Sequence, residues 1–136
     1  MKKLFGKEYR GTMNKINLIT PPDKLYNECF SILLISPTDF IKQQLQSIVQ
    51  EIDIPINIYL YEEDNIDWLL DIASSVDYIV IDLDNCDSKV RELCSYFVAK
   101  PKTYWLTQGE NTVYNMLSVN RIYDLEPIKN IMEKQL

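Results

Sequence analysis

The stretch DYIVIDLDN, Asp77–Asn85, runs four apolar residues without a break into Asp82 and Asp84. A buried strand that delivers two carboxylates at its end is one way to build a reaction centre, and hard oxygen ligands of this kind suit Mg²⁺. Further polar side chains close other apolar runs: Ser36 and Asp39 after FSILLIS; Glu62, Glu63 and Asp64 after INIYLY; Thr107 after KTYWLT; Asp124 and Glu126 after RIYDL. Carboxylates placed where helices begin also offset the helix dipole while remaining solvated. That quieter reading is the expectation here, since metal-binding clusters are a minority of acidic rims.

Several chemistries are excluded by residue type. The chain holds no histidine, which removes Ser-His and Cys-His nucleophile systems and most zinc sites. Cys29, Cys86 and Cys94 form an odd set without a CxxC spacing, and they read as reduced thiols of a cytoplasmic protein. Cys94 falls in an apolar stripe and is expected in the core. Backbone cradles for phosphates need glycine, and the three glycines are Gly6, Gly11 and Gly109, far from the SPTD turn after the first strand. No cofactor and no bound metal are therefore expected.

Side chains of these types act only where a fold gathers them. At 136 residues, 46% apolar and 25% charged, the chain is expected to fold as one globular domain, 29–136, behind an extended arm, 1–28. The Pro21-Pro22 pair in the arm forces an extended or turning backbone. Strands are predicted at 30–36, 56–61, 78–82, 102–107 and 121–125, with helices between them and a last helix from Glu126 to Leu136. Ser36 is the expected cap of the first helix, with Pro37 at its first position. The buried stripes are expected to be Ile41, Leu45, Ile48 and Ile52, then Ile66, Leu69, Leu70 and Ala73, then Val90, Leu93, Cys94, Phe97 and Val98. Residues 112–118 can hold a further helical turn or two. Alternation of strands and helices implies a parallel sheet with right-handed crossovers. Strands one and three are apolar on both faces, as central strands must be, while strands two and five carry polar residues, as edges do. The fold expected is a three-layer α/β/α sandwich with a five-stranded parallel sheet in flavodoxin-like order 2-1-3-4-5, whose ligand crevice lies beyond the carboxyl ends of the strands.

Charge is unevenly spread. Five of the 14 basic residues fall within 1–15 against Glu8 alone, and the remaining 9 share the rest of the chain with 19 of the 20 acidic residues. An acidic body repels phosphates, so nucleic acid is not an expected ligand of the domain. The basic arm reads as a solvated tail that can also meet an acidic partner; the Gly11-Thr12 pair before Met13 equally fits a start at Met13. No apolar run reaches the ~20 residues of a membrane span, and MKKLFGKEYRGTM lacks the apolar centre of a secretory signal.

Over residues 29–136 the chain resembles a response-regulator receiver domain. The resemblance rests on five strand–helix units, Asp82 closing strand three in YIVIDLDN, Thr107 closing strand four in TYWLT, and a Glu126-Pro127 dipeptide after strand five. It implies that Asp82 occupies the phosphoryl-accepting position and Thr107 that of the hydroxyl that senses the phosphoryl group. Two departures matter. Receivers carry Lys-Pro where Glu126-Pro127 stands, and an acidic pair on Mg²⁺ where LLISPTD places Ser36 and Pro37, with Asp39 further on. A phosphoryl group on Asp82 is then expected to face a carboxylate, which turns an attraction of several kcal/mol into repulsion, and nothing neutralises the transferred charge. The expectation is a pseudo-receiver: a non-enzymatic protein–protein interaction or assembly module, with a vestigial pocket of Ser36, Asp39, Asp82, Asp84, Thr107 and Glu126, whose contact surface comprises the last helix, the strand-five edge and the arm.

IVIDLDN also resembles the DxD motif of haloacid-dehalogenase-type phosphatases, which implies Asp82 as nucleophile, Asp84 as acid/base and a Mg²⁺-dependent alternative function. That family places its motif on the first strand and needs a later lysine; here the motif lies mid-chain and no later lysine sits in a matching strand-end context. Runs such as NLITPPDKLYN and YWLTQG resemble small proteins of contractile-tailed marine phages (cyanophages), as does a composition rich in isoleucine, asparagine, lysine and tyrosine. This implies a phage protein, in the host cytoplasm or the virion, that builds the particle or modulates a host protein.

Overall fold

The computed structural model describes residues 16–25, 29–62, 65–97, 100–109 and 120–134. Predictions for residues 1–15, Glu63, Asp64, Val98, 112–118 and Leu136 lie outside them. The elements are β1 Ile16–Ile19, β2 Phe30–Ile35, α1 Asp39–Gln50, β3 Ile56–Leu60, α2 Ile66–Ser75, β4 Tyr78–Asp82, α3 Ser88–Cys94, β5 Thr103–Leu106, β6 Arg121–Ile122 and α4 Glu126–Glu133. Short 3₁₀ turns follow β4 at Leu83–Asn85 and α3 at Ser95–Phe97.

The sheet is parallel and its order is β1-β3-β2-β4-β5-β6. This corrects the expected five-stranded sheet. Within it the five predicted strands follow one another as 2-1-3-4-5, but a sixth strand, β1, pairs outside β3, so strand two is internal. The added strand comes from the segment expected to be an arm. The register sets Asn17 beside Asn57, and Asn17 Nδ2 donates to Asn57 Oδ1 at 3.0 Å. Asn57 is 0% exposed, so the polar residue that made β3 look like an edge is buried against a partner.

Alternation along the strands divides the core into two layers. Ile32, Leu34, Ile58, Val80 and Leu106 pack with Ile41, Leu45 and Val49 of α1 and with Ile128 and Met132 of α4. Leu33, Ile35, Tyr59, Ile79, Ile81 and Trp105 pack on the opposite face with α2 and with Cys94 and Phe97 around α3. Helix α1 is capped by Thr38 rather than Ser36: Thr38 Oγ1 accepts from the Ile41 amide at 3.4 Å. Its buried stripe substitutes Val49 for Ile48, which is only partly covered.

The face of α2 also differs from expectation. Trp68, Leu69, Ile72 and Ala73 are buried, whereas Ile66 and Leu70 remain 41% and 42% exposed. The segment after β1 explains the rotation. It turns through the cis Pro21-Pro22 bond and lies against α2, where Trp68 Nε1 donates to the Asp23 carbonyl at 2.8 Å. Tyr59 Oη donates to the Leu25 carbonyl at 3.1 Å, and Lys24 pairs with Asp71. Among the described residues no helix is long and apolar enough to cross a membrane.

Candidate functional site

The carboxyl ends of β2, β4 and β5 bring four of the six predicted residues into two pairs. Asp82 is the last residue of β4 and is 2% exposed. The 3₁₀ turn that follows folds Asn85 back, so that Asn85 Nδ2 lies 2.9 Å from both Asp82 carboxylate oxygens. From the neighbouring strand, Ser36 Oγ donates to Asp82 Oδ2 at 2.6 Å. Ser36 Oγ in turn accepts from the Thr38 amide at 3.3 Å, which links the carboxylate to the start of α1. Among the described residues, every side chain that donates to Asp82 is neutral.

The second pair is Asp84 and Thr107. Asp84 Oδ1 accepts from Thr107 Oγ1 at 2.5 Å, and Oδ2 accepts from the Gln108 amide at 2.7 Å. Thr107 Oγ1 also accepts from the Gly109 amide at 3.2 Å. The two carboxylates thus act as staples, Asp82 joining β4 to the β2–α1 turn and Asp84 joining the 3₁₀ turn to the end of β5.

Asp39 and Glu126 stand apart from these pairs. Asp39 is exposed in the first turn of α1. Glu126 is exposed in the first turn of α4 and lines a hollow of about 480 Å³ between α1 and α4 with Phe40, Gln43 and Asp124. It makes no ion pair or hydrogen bond with the Asp82 pair, and its backbone amide donates to Asp124 Oδ1 at 3.0 Å.

A cleft of about 350 Å³ opens beside Ser36, lined by Pro37, Lys42, Tyr61, Glu62, Asn85 and Cys86 among others. Lys42 brings a cation to its wall, although no ion pair joins it to Asp82. Cys86 is buried, with Sγ 3.9 Å from the Ile35 carbonyl. Desolvation, reinforced by the nearby Asp82 charge, pushes its thiol up to about 12, so at neutral pH it is held as the neutral thiol and not as a thiolate nucleophile. Burial raises Cys94 as well, and Cys94 packs in the core beside Phe97. Among the described residues, no three His, Cys, Asp or Glu side chains are grouped so as to hold a metal ion.

Sequence reasoning missed three participants. Asn85 had a signal, because an Asn three residues after an Asp can return to it within one tight turn. The Gln108 amide had none, being backbone. Lys42 lies on α1 rather than at a strand end, so a reading confined to strand ends passes over it. Comparison with protein-family models and with curated proteins returns no match to this chain.

Proposed function

We propose that the chain is a non-catalytic protein–protein interaction or assembly module built on a receiver-like fold. The observation that carries this reading is the state of Asp82: buried, with both oxygens accepting from the neutral groups of Ser36 and Asn85. An acceptor for a phosphoryl group needs a free oxygen and a nearby positive charge to offset the incoming oxygens. Here hydrogen bonds within the fold engage both oxygens without bringing a positive charge to either, and the second carboxylate is engaged in the same way by Thr107 and Gln108. The exposed apolar side chains Ile66, Leu70 and Tyr96 supply contact surface, and the basic residues of 1–15 supply a second, charged element. In the phage setting suggested by the sequence, the partner is a virion subunit or a host protein in the cytoplasm.

The test is exposure of the full chain to Mg²⁺ with acetyl phosphate, read by intact mass, and to beryllofluoride, read by fluorescence of Trp105, which lies on β5 just before Thr107. Unchanged mass and emission support the module; a phosphoryl group on Asp82 overturns it. Lys42 in the cleft wall favours a second reading, Mg²⁺-dependent phosphotransfer or phosphatase chemistry through Asp82. Its mark is turnover of p-nitrophenyl phosphate that disappears in Asp82→Asn.

A further inference from the structure

We infer that the groove between α2 and α3 is the docking site for one amphipathic, basic helix of a partner protein. The inference rests on the interaction-module reading and names the chemistry of the partner. The groove has a volume of about 380 Å³, and its walls include Ile66 on one side and Val90, Leu93 and Tyr96 on the other. Leu70 follows Ile66 by one turn on the exposed side of α2. Val90, Leu93 and Tyr96 extend over ~9 Å along α3 and the turn after it, at 1.5 Å per residue. A linear apolar trough of that length matches about two turns of a helix presenting anchors at i, i+3 or i+4, and i+7. Tyr61 and Val90 also line the cleft beside Ser36, so a helix lying in the groove would cover the mouth of that cleft.

Charge selects the kind of helix. Glu62 flanks Tyr61, Glu92 lines the groove and Asp67 is exposed in the first turn of α2, against Lys89 in the groove wall; Asp71, further along α2, is already paired with Lys24. Residues 16–136 carry 19 acidic against 9 basic side chains. Lysines and arginines on the outer face of the docked helix complement this field, and an acidic helix is repelled by it. The same excess disfavours a second copy of the body as the occupant.

A fluorescein-labelled leucine–lysine amphipathic peptide, titrated with the full chain and followed by anisotropy, supplies the test, with the leucine–glutamate peptide as control. Saturable binding of the basic peptide, at least ~10-fold weaker for the acidic one, is expected. Ile66→Arg and Tyr96→Ala, both at exposed positions, should each weaken it by about 10-fold, as loss of a central anchor does. Phe40→Ala, in the hollow between α1 and α4, should leave it unchanged. Absence of binding, or equal binding by all variants, overturns the inference. So does concentration-dependent dimerisation that Ile66→Arg abolishes, which would seat a second copy in the groove. Binding that appears only after deletion of residues 1–15 would assign the groove to the chain itself and overturn it too. Failure here with Asp82 unphosphorylated rejects this docking site alone, whereas phosphorylation of Asp82 rejects the module reading.

Discussion

The substitution that separates a structural carboxylate from a catalytic one is Asp82→Asn, because the two roles predict opposite signs. Catalytic carboxylates are held in arrangements that cost stability, and neutralising them commonly stabilises the fold. In a staple the charge itself is the useful feature. Asp82 accepts from Ser36 Oγ at 2.6 Å and from Asn85 Nδ2 at 2.9 Å on each oxygen. Hydrogen bonds to a charged group contribute about 1.5–3 kcal/mol each. At 2% exposure, water does not replace a bond that is lost. The amide in Asp82→Asn keeps one acceptor and can turn its NH₂ toward Ser36 Oγ, whose lone pairs accept. One of the two Asn85 contacts then becomes N–H against N–H, and the charge assistance disappears. The expected cost is ~2 kcal/mol. For a chain of this size that lowers the melting temperature by about 6–8 °C, and it lowers the urea midpoint at unchanged m-value. A double-mutant cycle with Ser36→Ala should give a coupling of about 1 kcal/mol or more, since the two side chains touch. An Asp82→Asn protein as stable as the parent, or more stable, would refute the staple and with it the main support for a non-catalytic pocket.

Two further outcomes test the core around the site. Thr103 Oγ1 is buried on β5 with no hydrogen-bond partner among the described residues, so Thr103→Val, which replaces the hydroxyl with a methyl of similar size, should stabilise the protein by ~1 kcal/mol in urea unfolding; a loss of stability would show that the hydroxyl is satisfied. Cys86 is raised by burial from 9.0 to about 12, so the folded state holds its proton where the unfolded chain releases it: this contribution to stability is complete below pH 9.0 and declines as pH rises toward 12. Correspondingly, Ellman's reagent at pH 8 should leave Cys86 unmodified in the native protein and label it at once in guanidinium, and rapid native labelling at Cys86 would contradict its burial.

The parts of the fold that were legible in the sequence are those whose signal is local. Unbroken apolar runs such as FSILLIS and YIVID mark strands covered on both faces, and strand ends in a parallel sheet converge whatever the loops do. That is why strand ends alone place Ser36, Asp82, Asp84 and Thr107 in one pocket, although they neither give the two pairs nor separate Asp39 and Glu126 from them. What escaped depended on segments distant in sequence. INLI has no period, and its place in the sheet depends on Asn57, 40 residues away, meeting Asn17. On α2, the set Ile66, Leu69, Leu70 and Ala73 and the set Trp68, Leu69, Ile72 and Ala73 both have helical spacing, so periodicity alone cannot choose between them. The choice follows from a tertiary contact, because the Trp68 indole finds its acceptor at Asp23, 45 residues earlier. Turning Trp68 inward leaves Ile66 and Leu70 at the surface, with Ile66 in the wall of the groove that faces α3. The exposed Ile66 wall of the groove and the polar hold of Asp23 on α2 are therefore two consequences of one rotation. A surface of this kind cannot be read from the composition of α2, because it is set by which side of an amphipathic helix the rest of the chain has already covered.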